Sequence, residues 1–246
     1  MIQNILDTHV AAYQKNSIYD FDNEIQLKWY PERVIKHSPG SKSLLELGLG
    51  HGITADIFAR HFERHVVIDA SPAVIHNFRK QYPESKVEIV ESYFEKFQSD
   101  ERFDVIVFGY ILEHVDDPVA VLKHFQKYLN PEGQMFITVP NAEVLNRRLG
   151  HLAGMLPNMQ EMSEHDILLG HKRYYNLSLL KQDIESSGYQ IKRIEGIYLK
   201  PLTTGQMLSL NLDPLIIDAL CQMAVNYPEL SCGIFAEIFP KAKDVS

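Results

Sequence analysis

Cysteine is scarce in this chain. Cys221 and Cys232 are its only thiols among 246 residues, and no Cys-x-x-Cys pair occurs. That excludes a disulfide framework, offers no zinc or redox signature and fits a reducing compartment. Basic residues are also in deficit. The 24 Lys and Arg face 32 Asp and Glu, for a formal net charge of −8. A nucleic-acid partner, which usually meets a basic excess, is therefore not expected. The longest apolar run, around Val105 to Leu112, is far too short to cross a bilayer, so no membrane span is expected. The opening MIQNILDTHV has neither the basic start nor the apolar stretch of a signal peptide. These absences point to a cytoplasmic protein. Internal repeats and low-complexity stretches are missing as well.

What remains is an ordinary globular composition. Apolar types make up 45% and charged residues 23% of the chain, enough to bury a core without covalent staples. A single domain spanning 1–246 is expected. Its parts are an N-terminal helical cap (1–37), a core (38–140) and two substrate-side insertions (141–175 and 202–228). The cap holds Ile2, Ile5, Leu6 and His9 at helical spacing, then a second helix from Asn23 to Lys36 bent or restarted at Pro31. The core alternates strands and helices. Strands are read at Ser43–Glu46, His65–Asp69, Val87–Glu91, Asp104–Phe108 and Gln134–Val139. Helices are read at Gly52–Phe62, Pro72–Gln81 and Val119–Leu129, the last stopped by Asn130-Pro131. Strands apolar on both faces predict an α/β fold with a parallel sheet covered on each side. Beyond Pro140 the pattern weakens. It resumes as a helix at Ser178–Ser186, a strand at Gln190–Lys200, a helix at Leu208–Val225 and a strand at Gly233–Phe239.

The central motif is Glu46-Leu47-Gly48-Leu49-Gly50-His51-Gly52, set between the first strand and its helix. Gly48, Gly50 and Gly52 allow a sharp turn and let a ligand approach the backbone without Cβ interference. Asp69 follows at the end of the next strand, 21 residues after Gly48. An acid at that spacing suits two vicinal ribose hydroxyls, so an adenosine-containing ligand is predicted at the carboxyl ends of the strands. A dinucleotide fingerprint would put glycine where Ile53 stands. Nothing basic in the loop awaits a pyrophosphate, whereas Glu46 suits a ligand carrying an ammonium group.

With Asp69 and the stretch Phe103-Asp104-Val105-Ile106-Val107, this motif resembles the class I S-adenosylmethionine-dependent methyltransferases. Leu112-Glu113-His114-Val115-Asp116-Asp117-Pro118 is similar to the small-molecule branch, which includes ubiquinone-pathway O-methyltransferases and aminosugar methyltransferases. The resemblance covers about residues 40 to 200. It implies a Rossmann-like, seven-stranded, mostly parallel sheet with its last strand antiparallel, and S-adenosyl-L-methionine as cofactor. It further implies that Glu46, Gly48 and Gly50 hold the methionine moiety, and that Asp69 takes both ribose hydroxyls beside Ala70 and Ser71. Ser92 and Tyr93 would flank the adenine, and Tyr110 would face the sulfonium and the acceptor. Where the family carries an acid near the adenine, this chain has Ser92, with Glu91 or a backbone carbonyl as substitutes.

Transfer to a hydroxyl or an ammonium requires removal of a proton. His114, after the fourth strand, and His171, in Gly170-His171-Lys172-Arg173-Tyr174-Tyr175, are the catalytic candidates with Tyr110. A loop brace is the competing reading for His114, and a solvated helix start for His171. Glu113 reads as structural. Tyr13, Tyr19 and Trp29 read as a lid or as packing, and Met155, Met159 and Met162 as pocket lining or core. His61 and His65 have i, i+4 spacing but straddle a helix end and a strand, so no metal site is expected. No Gly-x-Ser-x-Gly elbow, P-loop or Asn/Asp-Pro-Pro-aromatic signature occurs. The reading is methyl transfer to an oxygen or nitrogen of a small-molecule acceptor. A nicotinamide-dependent oxidoreductase and a non-catalytic S-adenosylmethionine-binding protein stand as alternatives. A homodimer is left open, Leu208–Val225 being apolar enough to bury against a second copy.

Overall fold

The computed structural model describes residues 17–241. The expected first helix at Ile2–His9 and Tyr13 lie outside them. The chain runs α1 (Asp20–His37), β1 (Ser43–Leu47), α2 (Ile53–Ala59), β2 (Arg64–Asp69), α3 (Pro72–Gln81), β3 (Glu88–Glu91) and β4 (Phe103–Gly109). It continues through α4 (Pro118–Phe125), β5 (Leu129–Pro140), α5 (Leu145–Leu152), α6 (Glu164–Leu168), α7 (Leu177–Ser186) and β6 (Tyr189–Ile197). It ends with α8 (Thr204–Ser209), α9 (Pro214–Ala224) and β7 (Gly233–Pro240).

The strands form one seven-stranded sheet in the order β3-β2-β1-β4-β5-β7-β6. All neighbours pair in parallel except β7, which is antiparallel to both β5 and β6. Alternation along β4 explains the layering. Val105 and Val107 face α1 and α2, packing near Tyr30, Val34 and Phe58. Ile106 and Phe108 face α4 and α7, packing near Phe125 and Leu180. A strand buried on both sides has to be apolar throughout, as Phe103–Phe108 nearly is. The order reverses between β1 and β4, which opens a crevice beyond their carboxyl ends.

Several boundaries differ from the expected ones. The α4 helix ends at Phe125 and passes through one 3₁₀ turn, Gln126–Tyr128, before β5 starts at Leu129. Asn130-Pro131 thus belongs to the strand and does not stop the helix. The pairing jumps from Phe103–Leu129 to Val105–Gln134, so Asn130 to Gly133 bulge outward. Asn130 Nδ2 holds the bulge by donating to Asp104 Oδ1 at 2.7 Å. The expected Leu208–Val225 helix is two helices. Asn211 takes φ +45° between them, Asp213 caps the second by accepting from Leu215 N–H, and Pro214 opens it. Pro31 lies buried inside an unbroken α1.

Candidate functional site

A cavity of about 1040 Å³ lies along the carboxyl ends of β1, β2 and β4 and under α1, α5, α6 and α8. Single-ligand sites span roughly 300–1000 Å³, so this one has room for a nucleoside and a second small molecule. Gly48, Gly50, Gly52, Asp69, Ala70 and Ser71 line one end. Ser92 and Tyr93 close that end, while Tyr110, His114 and His171 line the other. Tyr19 lines the cavity too, whereas Trp29 packs against the apolar cluster between α1 and the sheet. Glu91 is exposed and does not line it, while Glu95 does.

The end with the glycine loop is built mainly from backbone. Gly48, Gly50 and Gly52 all have positive φ (+80°, +46° and +76°), a conformation that L side chains rarely adopt. A Cβ on Gly48 would sit 2.7 Å from Ile111 Cδ1, and one on Gly52 would sit 2.6 Å from Phe78 Cδ2. The Asp69 carboxylate accepts from Leu49 N–H at 2.9 Å and from Ser71 N–H at 2.8 Å. These two bonds tie the glycine loop to the end of β2 and aim a charged acceptor along the cavity wall. Ser71 in turn caps α3 by accepting from Val74 N–H.

Glu46 is placed differently from the sequence expectation. It is buried and does not line the cavity. Oε1 accepts from the Thr54 hydroxyl at 2.5 Å, and Oε2 lies 3.0 Å from His65 Nε2. The acid thus joins β1, β2 and the first turn of α2 from inside the fold. His65 is paired with it and not with His61, whose ring packs edge-on to Phe62. Met155 is also outside the cavity and highly exposed.

The opposite end is built from side chains. Tyr110 has φ +58° and donates its hydroxyl to Gln26 Oε1 at 3.0 Å. Burial pushes its hydroxyl well above the ordinary tyrosine range, so it stays protonated at neutral pH. Past it, Glu113 is buried with Oε2 unpartnered. Burial pushes this carboxyl up to about 7, against the pull of His171 and Arg173. His114 and His171 pack edge to face, with ring centroids 4.8 Å apart. His171 Nδ1 lies 3.2 Å from Asp166 Oδ1, close enough for charge attraction though not aligned for a hydrogen bond. Burial opposes ionisation of Asp166. Contacts from His171, Ser163 and Tyr174 outweigh it and hold the carboxyl well below the usual range.

Arg173 stitches the segment carrying His171 to the loop after β4. It donates to the carbonyls of Leu112, Val115 and Asp116, and Lys172 N–H donates to Glu113 C=O at 2.8 Å. Glu113, His114 and His171 each bring one ligand atom within 4.8 Å of the others. The trio therefore offers a proton-accepting cluster and equally the donor set of a cation. Sequence spacing marks Glu113 and His114 as neighbours, but His171 is distant in the chain, and only tertiary packing unites them.

A family profile described as a methyltransferase domain matches residues 25–193, more than half of the chain. The ubiquinone biosynthesis O-methyltransferase of Aliivibrio fischeri is 27% identical over 73% of this chain and 78% of its own length. That of Acinetobacter baumannii is 25% identical over 78% and 81%. Among solved structures, an S-adenosylmethionine-dependent methyltransferase from Clostridium acetobutylicum superposes with a TM-score of 0.60 at 10% identity, covering 97% of this chain and all (100%) of that one. The plantazolicin methyltransferase BpumL in complex with SAH gives a TM-score of 0.59 at 17% identity over 96% and 90%.

Proposed function

From a chain that belongs to the methyltransferase-domain family and uses S-adenosylmethionine as its methyl donor, we propose a specific division of the cavity. The nucleoside and methionine parts lie against the glycine loop, Asp69 and Ser92. A small-molecule acceptor enters beyond Tyr110 and presents an oxygen, or else a nitrogen, to the methyl group. One observation carries this reading: a single cavity joins an anchored carboxylate at the end of β2 to a cluster of buried Glu113 with half-buried His114 and His171.

The residues suit the donor molecule chemically. Asp69 is acceptor-only and fixed by two backbone N–H groups, a chemistry that suits the vicinal hydroxyls of a ribose. Ala70, Ser71 and Tyr93 border the space where the adenine would lie. When bound, S-adenosylmethionine supplies a methyl group already activated by its sulfonium. The chain's own work is then alignment, exclusion of water and acceptance of a proton. Tyr110 forms the wall between the two halves and orients by contact, its hydroxyl being too weakly acidic to exchange a proton. His114 and His171 take the acceptor's proton. Glu113, poised near neutrality behind them, and Asp166 hold the charge that develops. Glu46 acts as a buttress of the loop, not as a ligand group.

The negative net charge supports a small-molecule acceptor over a nucleic acid. No helix among the described residues is long and apolar enough to cross a membrane. Leu210, Leu215 and Ile216 are exposed on the α8–α9 segment and form the face on which a second copy would dock. Calorimetry with S-adenosylmethionine and SAH tests the central reading. Micromolar binding of both is expected, and no heat from either at high micromolar concentration sinks it.

A further inference from the structure

The same cavity is lined by a second polar cluster that the reaction as described does not use. Asp22, in the first turn of α1, is 5% exposed and lines the cavity. Its Oδ2 is crowded: Lys200 Nζ donates to it at 2.6 Å and the Thr204 hydroxyl at 2.5 Å. Lys200 Nζ also donates to Thr204 Oγ1 at 3.1 Å, which closes a triangle. Asp22 Oδ1, by contrast, has no hydrogen-bond partner. A buried carboxylate oxygen left without a donor carries a real free-energy cost. The surrounding backbone is set firmly. Thr203 and Gln206 form a capping box that fixes the start of α8, and with it Thr204.

The position matters as much as the orphan. The triangle lies among α1, α8 and the segment after β6, on the β4–β7 side of the sheet and away from Asp69 and Ser92. Tyr110 and Gln26, joined by their hydrogen bond, line the same cavity. The charges of Asp22 and Lys200 cancel, so the pair has little attraction for a free ion. It offers an acceptor on Asp22 beside a lysine that has used two of its three N–H donors. A neutral hydroxyl satisfies both at once.

We propose that Asp22, Lys200 and Thr204 form the acceptor-anchoring subsite. A hydroxyl of the acceptor, remote from the methylated atom, donates to Asp22 Oδ1 and accepts from Lys200. This rests on the methyltransferase reading and deepens it: the acceptor class is a hydroxyl-bearing small molecule. The test uses SAH-saturated protein and two probes that share a benzyl group, benzyl alcohol and its O-methylated form benzyl methyl ether, titrated by NMR. The alcohol is expected to bind about tenfold more tightly than the ether, the value of one hydrogen bond to a charged acceptor. In Asp22→Asn the amide oxygen stays toward Lys200 and the NH₂ replaces Oδ1 with a donor, so the preference should vanish or reverse. The double variant Asp22→Leu/Lys200→Met removes the pair together, avoids a stranded charge and should bind both probes alike. Equal affinity in the wild type, no binding of either probe, or a preference that survives both variants overturns the subsite. SAH calorimetry on the same samples separates the two claims. Failure of SAH to bind the wild type sinks the methyltransferase reading, whereas intact SAH binding without a probe preference sinks only the subsite.

Discussion

The two ends of the cavity are made by different means. At the nucleoside end, backbone does the work: three positive-φ glycines, two N–H groups on Asp69 and a capped α3. At the other end, side chains from several separate stretches converge, and some of their polar atoms find no partner among the described residues. A backbone-built surface serves one fixed ligand shared by many enzymes. A surface built from side chains can change with the acceptor while the sheet stays the same.

The sharpest way to break this contrast is to remove the one side chain on which the nucleoside end depends. Asp69→Ala should weaken S-adenosylmethionine and SAH at least about 100-fold. Two hydroxyls donating to a charged acceptor contribute roughly 1.5–3 kcal/mol each. It should also loosen the loop, since Leu49 and Ser71 N–H lose their acceptor. Calorimetry decides the point, and a loss under fivefold would contradict the assignment. A change at the acceptor end, such as His171→Ala, should leave SAH affinity nearly untouched while slowing turnover.

Glu113 sharpens the comparison through pH. Its carboxyl is raised from 4.5 to about 7 in the folded protein, chiefly by burial. The neutral form suits the buried site, so its contribution is complete below pH 4.5. It is lost as pH rises through 7, by about 3 kcal/mol in total. Denaturant melts of the wild type should therefore decline across that window, and those of Glu113→Gln should stay level. The pH–rate profile should carry an inflection near 7 that the same variant shifts or removes. A profile unchanged by Glu113→Gln would confine the residue to a structural role.

The difference between the ends also explains what was legible in the residues alone. The spacing from Gly48 to Asp69 is local to one βαβ unit, so it survives in the linear sequence, and that these residues would share one wall of the cavity was readable. Apolar strands likewise announced the sheet and its layers. The acceptor end was readable only in pieces. His114 and His171 could be named, but not their meeting, nor that Glu113 would be buried beside them. Asp22 and Lys200 carry no mutual spacing, and nothing local predicts their contact. Glu46 misled because the motif places an acid at the loop's edge, whereas strand alternation turns it inward onto Thr54 and His65. The Leu208–Val225 helix misled because its apolar content masked the Asp213-Pro214 restart.

That placement of Glu46 gives a smaller effect. Glu46→Ala leaves Thr54 and His65 without their buried acceptor, so stability should fall by about 1–3 kcal/mol. At saturating S-adenosylmethionine the folded fraction should keep most of its turnover, because the side chain does not reach the cavity. Thermal melts and kinetics on the same preparation separate the two effects. A turnover collapse with unchanged melting would restore Glu46 as a ligand group.

The least perturbing test concerns Met155, which by spacing could have lined the pocket or filled the core. The structure gives it neither place: it is 84% exposed and outside the cavity. An exposed side chain without partners contributes little, so Met155→Ala should move stability by less than about 0.5 kcal/mol. Its value lies in what a larger effect would mean. Met155 follows α5, whose chain is anchored by Arg147 donating to the carbonyls of Ala142, Met159 and Glu161. Arg147 itself lines the cavity. If Met155→Ala raised KM for the acceptor severalfold without lowering the melting temperature, α5 would have to close inward over the acceptor and carry Met155 with it. The acceptor end would then be assembled by its ligand, while the nucleoside end, held by its own backbone, stands ready beforehand.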